Sequence, residues 1–223
     1  NGNLILEDVP NVPEEIKKEL KGYQNIRSAS FRGFKPDNEG LFISTRFGDV
    51  GQLHVVDRPL GMRKQVTFFD EPIGSVSVQP NGGLIAFTMD SGGSENAQIY
   101  VMNPENGRTV LVSDGESRNG SVLWSRDGEK IAFGTTRRNG ASNDVWVMDY
   151  KYPEQAKMVF ASPDGTSWTP SDWSKDSKKI LLQNYISVTS SRIFIVDTET
   201  GESELVTNKE DSSNLALAFG ASG

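Results

Sequence analysis

Catalysis and tight binding need a nucleophile, a base, a set of metal ligands or a paired charge, and this sequence is sparing with all of them. It has no cysteine and one histidine, His54. Thiolate catalysis, disulfides and cysteine zinc sites are thereby excluded, and one histidine gives zinc no ligand set. A Ser-His-Asp triad would have to use His54. That residue alternates with Leu53 and Val55 in a run that reads as a strand, the setting of a packed histidine rather than of a general base. The nearest approach to a nucleophile elbow is Gly92-Gly93-Ser94-Glu95-Asn96. It lacks the closing glycine and lies between two strand patterns, not between a strand and a helix. The oxygen-rich stretch Asp90 to Asn96 departs from the EF-hand order and reads as an ordinary polar loop. No glycine cluster precedes a helix to cradle a phosphate. The expectation is therefore no catalytic residue, no metal and no cofactor. Two pairs remain as the candidate binding set: Arg137 with Arg138, and Asn184 with Tyr185. Adjacent guanidiniums on a loop clamp a carboxylate or hold a neighbouring domain. The competing reading is a solvated surface pair.

The elements that position these residues come from a repeat. Ser121 to Phe133, SVLWSRDGEKIAF, reads as strand, tight Asp127-Gly128 turn, strand, because an Asp-Gly pair tolerates the positive φ that a hairpin needs. Similar units surround Phe34-Lys35-Pro36-Asp37, Val78-Gln79-Pro80-Asn81-Gly82 and Trp173-Ser174-Lys175-Asp176, and a further start falls at Phe219. The large apolar column Phe34, Val78, Trp124, Trp173 and Phe219 advances by 44, 46, 49 and 46 residues. A period of that size with four short strands per unit is the signature of a β-propeller blade. The predicted fold is all-β: four blades of four antiparallel strands plus the start of a fifth. The blades are placed at about 29–67, 76–113, 121–160 and 168–207, with the next beginning at 214–223. The aromatic column is expected in the inter-blade core. Each third strand ends in Asp57, Asn103, Asp149 or Asp197, which should cap the following turn through the side chain. In an up-and-down meander, alternate loops share a face. The loops holding Arg137-Arg138 and Asn184-Tyr185 should therefore lie on one face with the inter-blade connections, where binding residues concentrate.

Residues 1–28 stand outside the repeat. Leu4-Ile5-Leu6 suits a short strand. Pro13 to Leu20 suits a helix, with Pro13 at the first helical position, acids in the first turn, Gly22 just past the end, and Ile16 and Leu20 as a stripe against the propeller's side. Net charge is −7, which argues against a nucleic-acid partner. No apolar run approaches the roughly 18 residues of a membrane span. The chain opens at Asn1 rather than at a methionine. Removal of an upstream stretch, as by a signal peptidase, is expected, with a periplasmic or secreted location; a cytoplasmic one stays open.

The units WSRDGEKIAF and WSKDSKKILL resemble the Asp-Gly propeller repeat of TolB and of the prolyl oligopeptidase family of serine peptidases. Four longer strings, Tyr23 to Phe31, Ile43 to Asp49, Gln65 to Pro72 and Ser117 to Ser121, are similar to the propeller part of bacterial peptidases of that family. The resemblance covers almost the whole chain. It implies a propeller that precedes an α/β-hydrolase domain and restricts peptide access to it, so the implied partners are that domain and peptide substrates. The hydrolase triad has no counterpart here. Nor does the acidic string that holds a substrate amino terminus in dipeptidyl-peptidase-like members, since Asp172-Trp173 is followed by Ser174-Lys175 at a blade start. The alternative implied is a TolB-like scaffold for protein or ligand binding with no enzyme domain.

Overall fold

The computed structural model describes residues 7–163, 165–207 and 218–220. Sixteen strands form four separate antiparallel sheets, each a meander in chain order. Blade one holds β1 (Ala29–Phe34), β2 (Leu41–Thr45), β3 (Gln52–Val56) and β4 (Lys64–Gln65). Blade two holds β5 (Ile73–Val78), β6 (Ile85–Met89), β7 (Gln98–Met102) and β8 (Thr109–Leu111). Blade three holds β9 (Asn119–Trp124), β10 (Lys130–Thr135), β11 (Asp144–Asp149) and β12 (Tyr152–Phe160). Blade four holds β13 (Ser167–Trp173), β14 (Lys179–Ser187), β15 (Ser190–Asp197) and β16 (Ser203–Leu205). Each blade's first strand touches the next blade's first strand. The first strands therefore gather toward an axis, and β4, β8, β12 and β16 lie at the perimeter.

The repeat holds residue by residue. Leu41 faces Val56, Ile85 faces Met102, Ile131 faces Met148 and Ile180 faces Val196. Two residues along the strand, the pairs are Ile43 with His54, Phe87 with Tyr100, Phe133 with Trp146 and Leu182 with Phe194. Because side chains alternate, both pairs share one face, and that face meets the preceding blade. His54 therefore occupies the place of Tyr100, Trp146 and Phe194.

Three buried clusters fill the gaps between successive blades. Phe42, Leu53, Ile85, Phe87 and Met102 lie between blades one and two. Ala86, Ile99, Trp124, Ile131 and Phe133 lie between two and three. Val145, Val147, Trp173, Ile180 and Leu182 lie between three and four. The tryptophans also bond across: Trp124 Nε1–H donates to Ser77 O at 3.1 Å and Trp173 Nε1–H to Leu123 O at 3.2 Å. Each indole thus buries its rings and still satisfies its one donor. At the Asp-Gly turn, Gly128 adopts φ +74 and its N–H bonds Ser125 O at 2.9 Å. In blade four Ser177 takes that place at φ +57, and its hydroxyl accepts Asp127 N–H from the blade-three turn at 3.1 Å.

Four sequence expectations change. Phe34 is not core: it is 61% exposed, because no blade of the described chain lies on the side of blade one away from blade two. α1 (Glu14–Gln24) starts after Pro13 and runs through Gly22 to Gln24. It buries no residue, so Ile16 and Leu20 do not form a stripe against the blades; only its last turn meets blade one, where Arg46 donates to Gln24 O. Asn184 to Ser187 are not a loop. β14 continues through them and pairs Ser187 with Ser190, leaving a tip at 188–189. Asn103, Asp149 and Asp197 do cap their turns, accepting N–H groups at 2.8–3.0 Å, whereas Asp57 takes Lys64 Nζ at 2.6 Å. Leu4-Ile5-Leu6 and most of the fifth blade start lie outside the described residues; within 218–220, Phe219 N–H donates to Asp172 Oδ2 at 2.8 Å.

Candidate functional site

In blades one to three, the residue that opens the third strand ties down the next inter-blade loop. Gln52 donates to Phe69 O and Glu71 O at 3.0 Å and accepts Phe69 N–H at 3.1 Å. Gln98 donates to Ser117 O at 2.8 Å and accepts the Ser113 hydroxyl at 2.6 Å. In blade three this position is Asp144, fully buried, which accepts Ser162 N–H at 2.8 Å. A carboxylate there is charged, and Arg138 answers it: Nε and Nη2 reach the two oxygens at 2.7 and 2.9 Å, and Nη2 also donates to Ser162 O at 3.2 Å. The Asp144 bond lifts the Arg138 guanidinium above its ordinary value. Bidentate pairs of this kind fix geometry as well as charge. The Nε and Nη2 donors of Arg138 are spent on the fold.

Arg137 is placed differently. Its guanidinium lies over the Trp146 ring at 5.0 Å, and its Nε stands 3.7 Å from Asp114 Oδ2, beyond hydrogen-bond reach. Among the described residues its side-chain N–H groups make no hydrogen bond. Asp114 is held by its own loop. Burial opposes its charge, but the Ser117 hydroxyl at 2.6 Å and the Ser117 and Glu116 N–H groups at 3.0 and 3.1 Å outweigh that, and Arg137 adds to them. The Asp114 carboxyl therefore stays below the usual range. Arg137 and Asp114 line a cleft of about 410 Å³ between blades two and three, walled by Leu111, Phe133, Pro153 and Ala156. Trp146 Nε1–H, beneath Arg137, is buried without a partner.

The other pair separates as well. Asn184 is buried and donates to Thr166 Oγ1 at 2.6 Å, a strand-pinning role. Tyr185 is half exposed, on the far side of blade four from that cleft's blades, opposite Ser167 and Ser191 in the ladder. The four candidates do not converge. Asp114, Asp144 and Trp146 were missed by sequence reasoning. Asp144 was findable, because it stands in register with Gln52 and Gln98.

His54 is buried; its Nδ1 lies 3.1 Å from Gln52 O, its Nε2 has no partner, and the Phe47 ring stands 5.2 Å away. Burial pushes its pKa down despite the Gln52 carbonyl, and nearby Arg63 adds to the effect. Among the described residues no three His, Asp or Glu side chains cluster as metal ligands, and no helix is long and apolar enough to cross a membrane.

Comparison with known proteins follows the same lines. The prolyl oligopeptidase N-terminal beta-propeller domain matches residues 67–218, more than half of the chain. An uncharacterized peptidase of Bacillus subtilis, YuxL, is 28% identical over 140 residues; this covers 62% of the chain and 19% of YuxL. Among solved structures, TolB from Acinetobacter baumannii matches 82% of this chain and 44% of its own, at TM-score 0.64 and 22% identity. A prolyl endopeptidase matches 83% of this chain and 30% of its own, at TM-score 0.66 and 14% identity. The chain spans about a fifth of its peptidase relative, and at these identities the structural likenesses speak for the fold alone. The blade repeat, the four meander sheets and the match over residues 67–218 together make this chain a member of the prolyl oligopeptidase N-terminal β-propeller family.

Proposed function

We propose that this chain is the non-catalytic propeller of a prolyl oligopeptidase family serine peptidase, and that it gates peptide access to a hydrolase domain outside residues 1–223. The observation that carries the reading is the family match laid over blades that supply a wall and no chemistry. The one histidine is buried among Gln52, Phe47 and Arg63 and serves no serine. A gate acts by exclusion: the axis lined by β1, β5, β9 and β13 admits an extended peptide and refuses a folded one. We place the protein in the periplasm or outside the cell, a location that fractionation of the source cells would check.

The test compares the whole peptidase with a form lacking the propeller, on peptides of graded length and on a folded protein. With the propeller, turnover falls steeply with substrate size. Without it, the folded protein is cleaved. Equal size selectivity in both forms would overturn the gating role; a full-length protein without a hydrolase domain would favour the second reading, a TolB-like scaffold for protein or ligand binding, whose fold the likeness to TolB supports.

A further inference from the structure

The cleft between blades two and three opens at the perimeter, between the short outer strand β8 and the long outer strand β12, away from the axis that a gate would use. We propose that this cleft is a peptide-docking site that takes a carboxylate on Arg137 with an adjacent apolar side chain against Val112, Pro153 and Ala156. The proposal does not depend on the gating reading.

Three observations carry it. First, Arg137 is oriented but unspent. Its guanidinium lies over Trp146 at 5.0 Å, its nearest carboxylate is at 3.7 Å, and its N–H donors stay free of hydrogen bonds among the described residues. A planar fork in that state matches a carboxylate, which it binds through two parallel bonds. Arg138, one residue on, shows the engaged condition for comparison, with its Nε and Nη2 edge on Asp144. Second, the Asp114 charge is already engaged by three donors of its own loop. It steers the guanidinium without saturating it, and a ligand carboxylate completes a carboxylate-arginine-carboxylate arrangement. Third, the wall below is apolar and open: Val110, opposite Val101 on the face of β8 toward blade three, is 47% exposed although blade three flanks it. A second hollow, of about 340 Å³, continues past Val110 and Val112 to Tyr150, so the groove suits an extended chain rather than a compact ion. A free inorganic anion would use Arg137 and leave the apolar wall unserved.

A carboxylate reaches such a site either as a peptide's C-terminus or as an acidic side chain. The experiment separates the two. Three fluorescent peptides share one leucine-bearing sequence: one ends in a free carboxylate, one is amidated, and one is amidated with a glutamate beside the leucine. Binding to the 223-residue chain is followed by fluorescence anisotropy. Either the first or the third peptide should bind at least about ten-fold more tightly than the amidated neutral one, the loss expected when a charge-assisted pair is removed. The first alone identifies a terminus, the third alone a side chain. Arg137→Ala should weaken binding by about ten- to a hundred-fold, while Glu154→Gln, which removes a like charge from the rim, should tighten it. Ala156→Gln tests the wall without adding a charge and should weaken binding too. Added salt should weaken binding. Equal affinity for the neutral amidated peptide, no effect of Arg137→Ala in a chain that melts normally, or no binding of any peptide at millimolar concentration would each overturn the proposal.

Discussion

Arg137 and Arg138 are adjacent in sequence and opposite in role, and the difference is what each guanidinium touches. Arg138 neutralises a carboxylate that has no access to water. Removing it strands that charge, so Arg138→Ala should lower the melting temperature by several degrees, and Arg137→Ala should leave it nearly unchanged. Asp144→Gln restores the residue type that blades one and two use at the same place. In the Arg138→Ala background it should recover most of the lost stability, a coupling that a double-mutant cycle in thermal melts measures directly. Additive losses would mean that Arg138 stabilises through something other than Asp144. His54 belongs to the same scale. Its folded pKa lies below the ordinary value of about 6.5 because burial disfavours the charged ring. The unfolded chain therefore binds the proton first: stability is complete above about pH 6.5 and falls as pH drops toward the folded value. The depressed carboxyl of Asp127, where Ser125 and Glu129 overcome burial, and that of Asp114 act lower. Their contribution is complete above about pH 4 and is lost as pH falls through their folded values. Melting temperature against pH should show both limbs. His54→Phe, the residue type that Phe194 supplies in blade four, should erase the upper limb and leave the lower one. An unchanged upper limb in that variant would assign it to another group.

At the scale of the elements, the turn between the first two strands shows how a blade is fixed to its neighbour. Ser177 adopts a left-handed conformation, which costs a non-glycine residue about 1 kcal/mol, yet its hydroxyl holds the Asp127 N–H of blade three. Ser177→Gly removes the strain with the bond, and Ser177→Ala removes only the bond. Chemical denaturation should rank glycine above alanine by about 1 kcal/mol; the reverse order would show that the strain is not felt. Much of this level was legible in the sequence. The Asp-Gly spacing and the Trp124 and Trp173 column place the strands, because turn chemistry and alternating burial are local. α1 was less legible: Ile16 and Leu20 have helical spacing, but spacing does not say whether a surface lies opposite, and here none does. Asn184 to Ser187 read as loop on polarity, while the hairpin partners Ser190 and Ser191 draw them into β14. The cleft at Arg137 was only half visible, since its other wall comes from residues over twenty positions away that only blade-to-blade contact brings near.

For the molecule as a whole, blade one presents outward the face that blades two to four bury. Phe31 and Phe34 meet edge to face at 5.0 Å and are both more than half exposed, beside a hollow of about 720 Å³ lined by Phe34, Leu41, Val56 and Pro59. An apolar surface of this kind seldom persists bare in water. The 223-residue chain should therefore bind a hydrophobic dye, and Phe31→Ser with Phe34→Ser should abolish most of that signal at little cost to the melt. Dye binding undiminished in the double variant would move the exposed surface elsewhere. We propose a division of labour in which this propeller shapes access and the chemistry lies in another part of a peptidase. Active-site labelling with a fluorophosphonate tests it most directly, run in parallel on the 223-residue chain and on the whole protein. The account predicts no label on the chain and one serine labelled per whole protein, outside residues 1–223. Stoichiometric labelling of a serine within the chain, or a whole protein that takes no label, would contradict it.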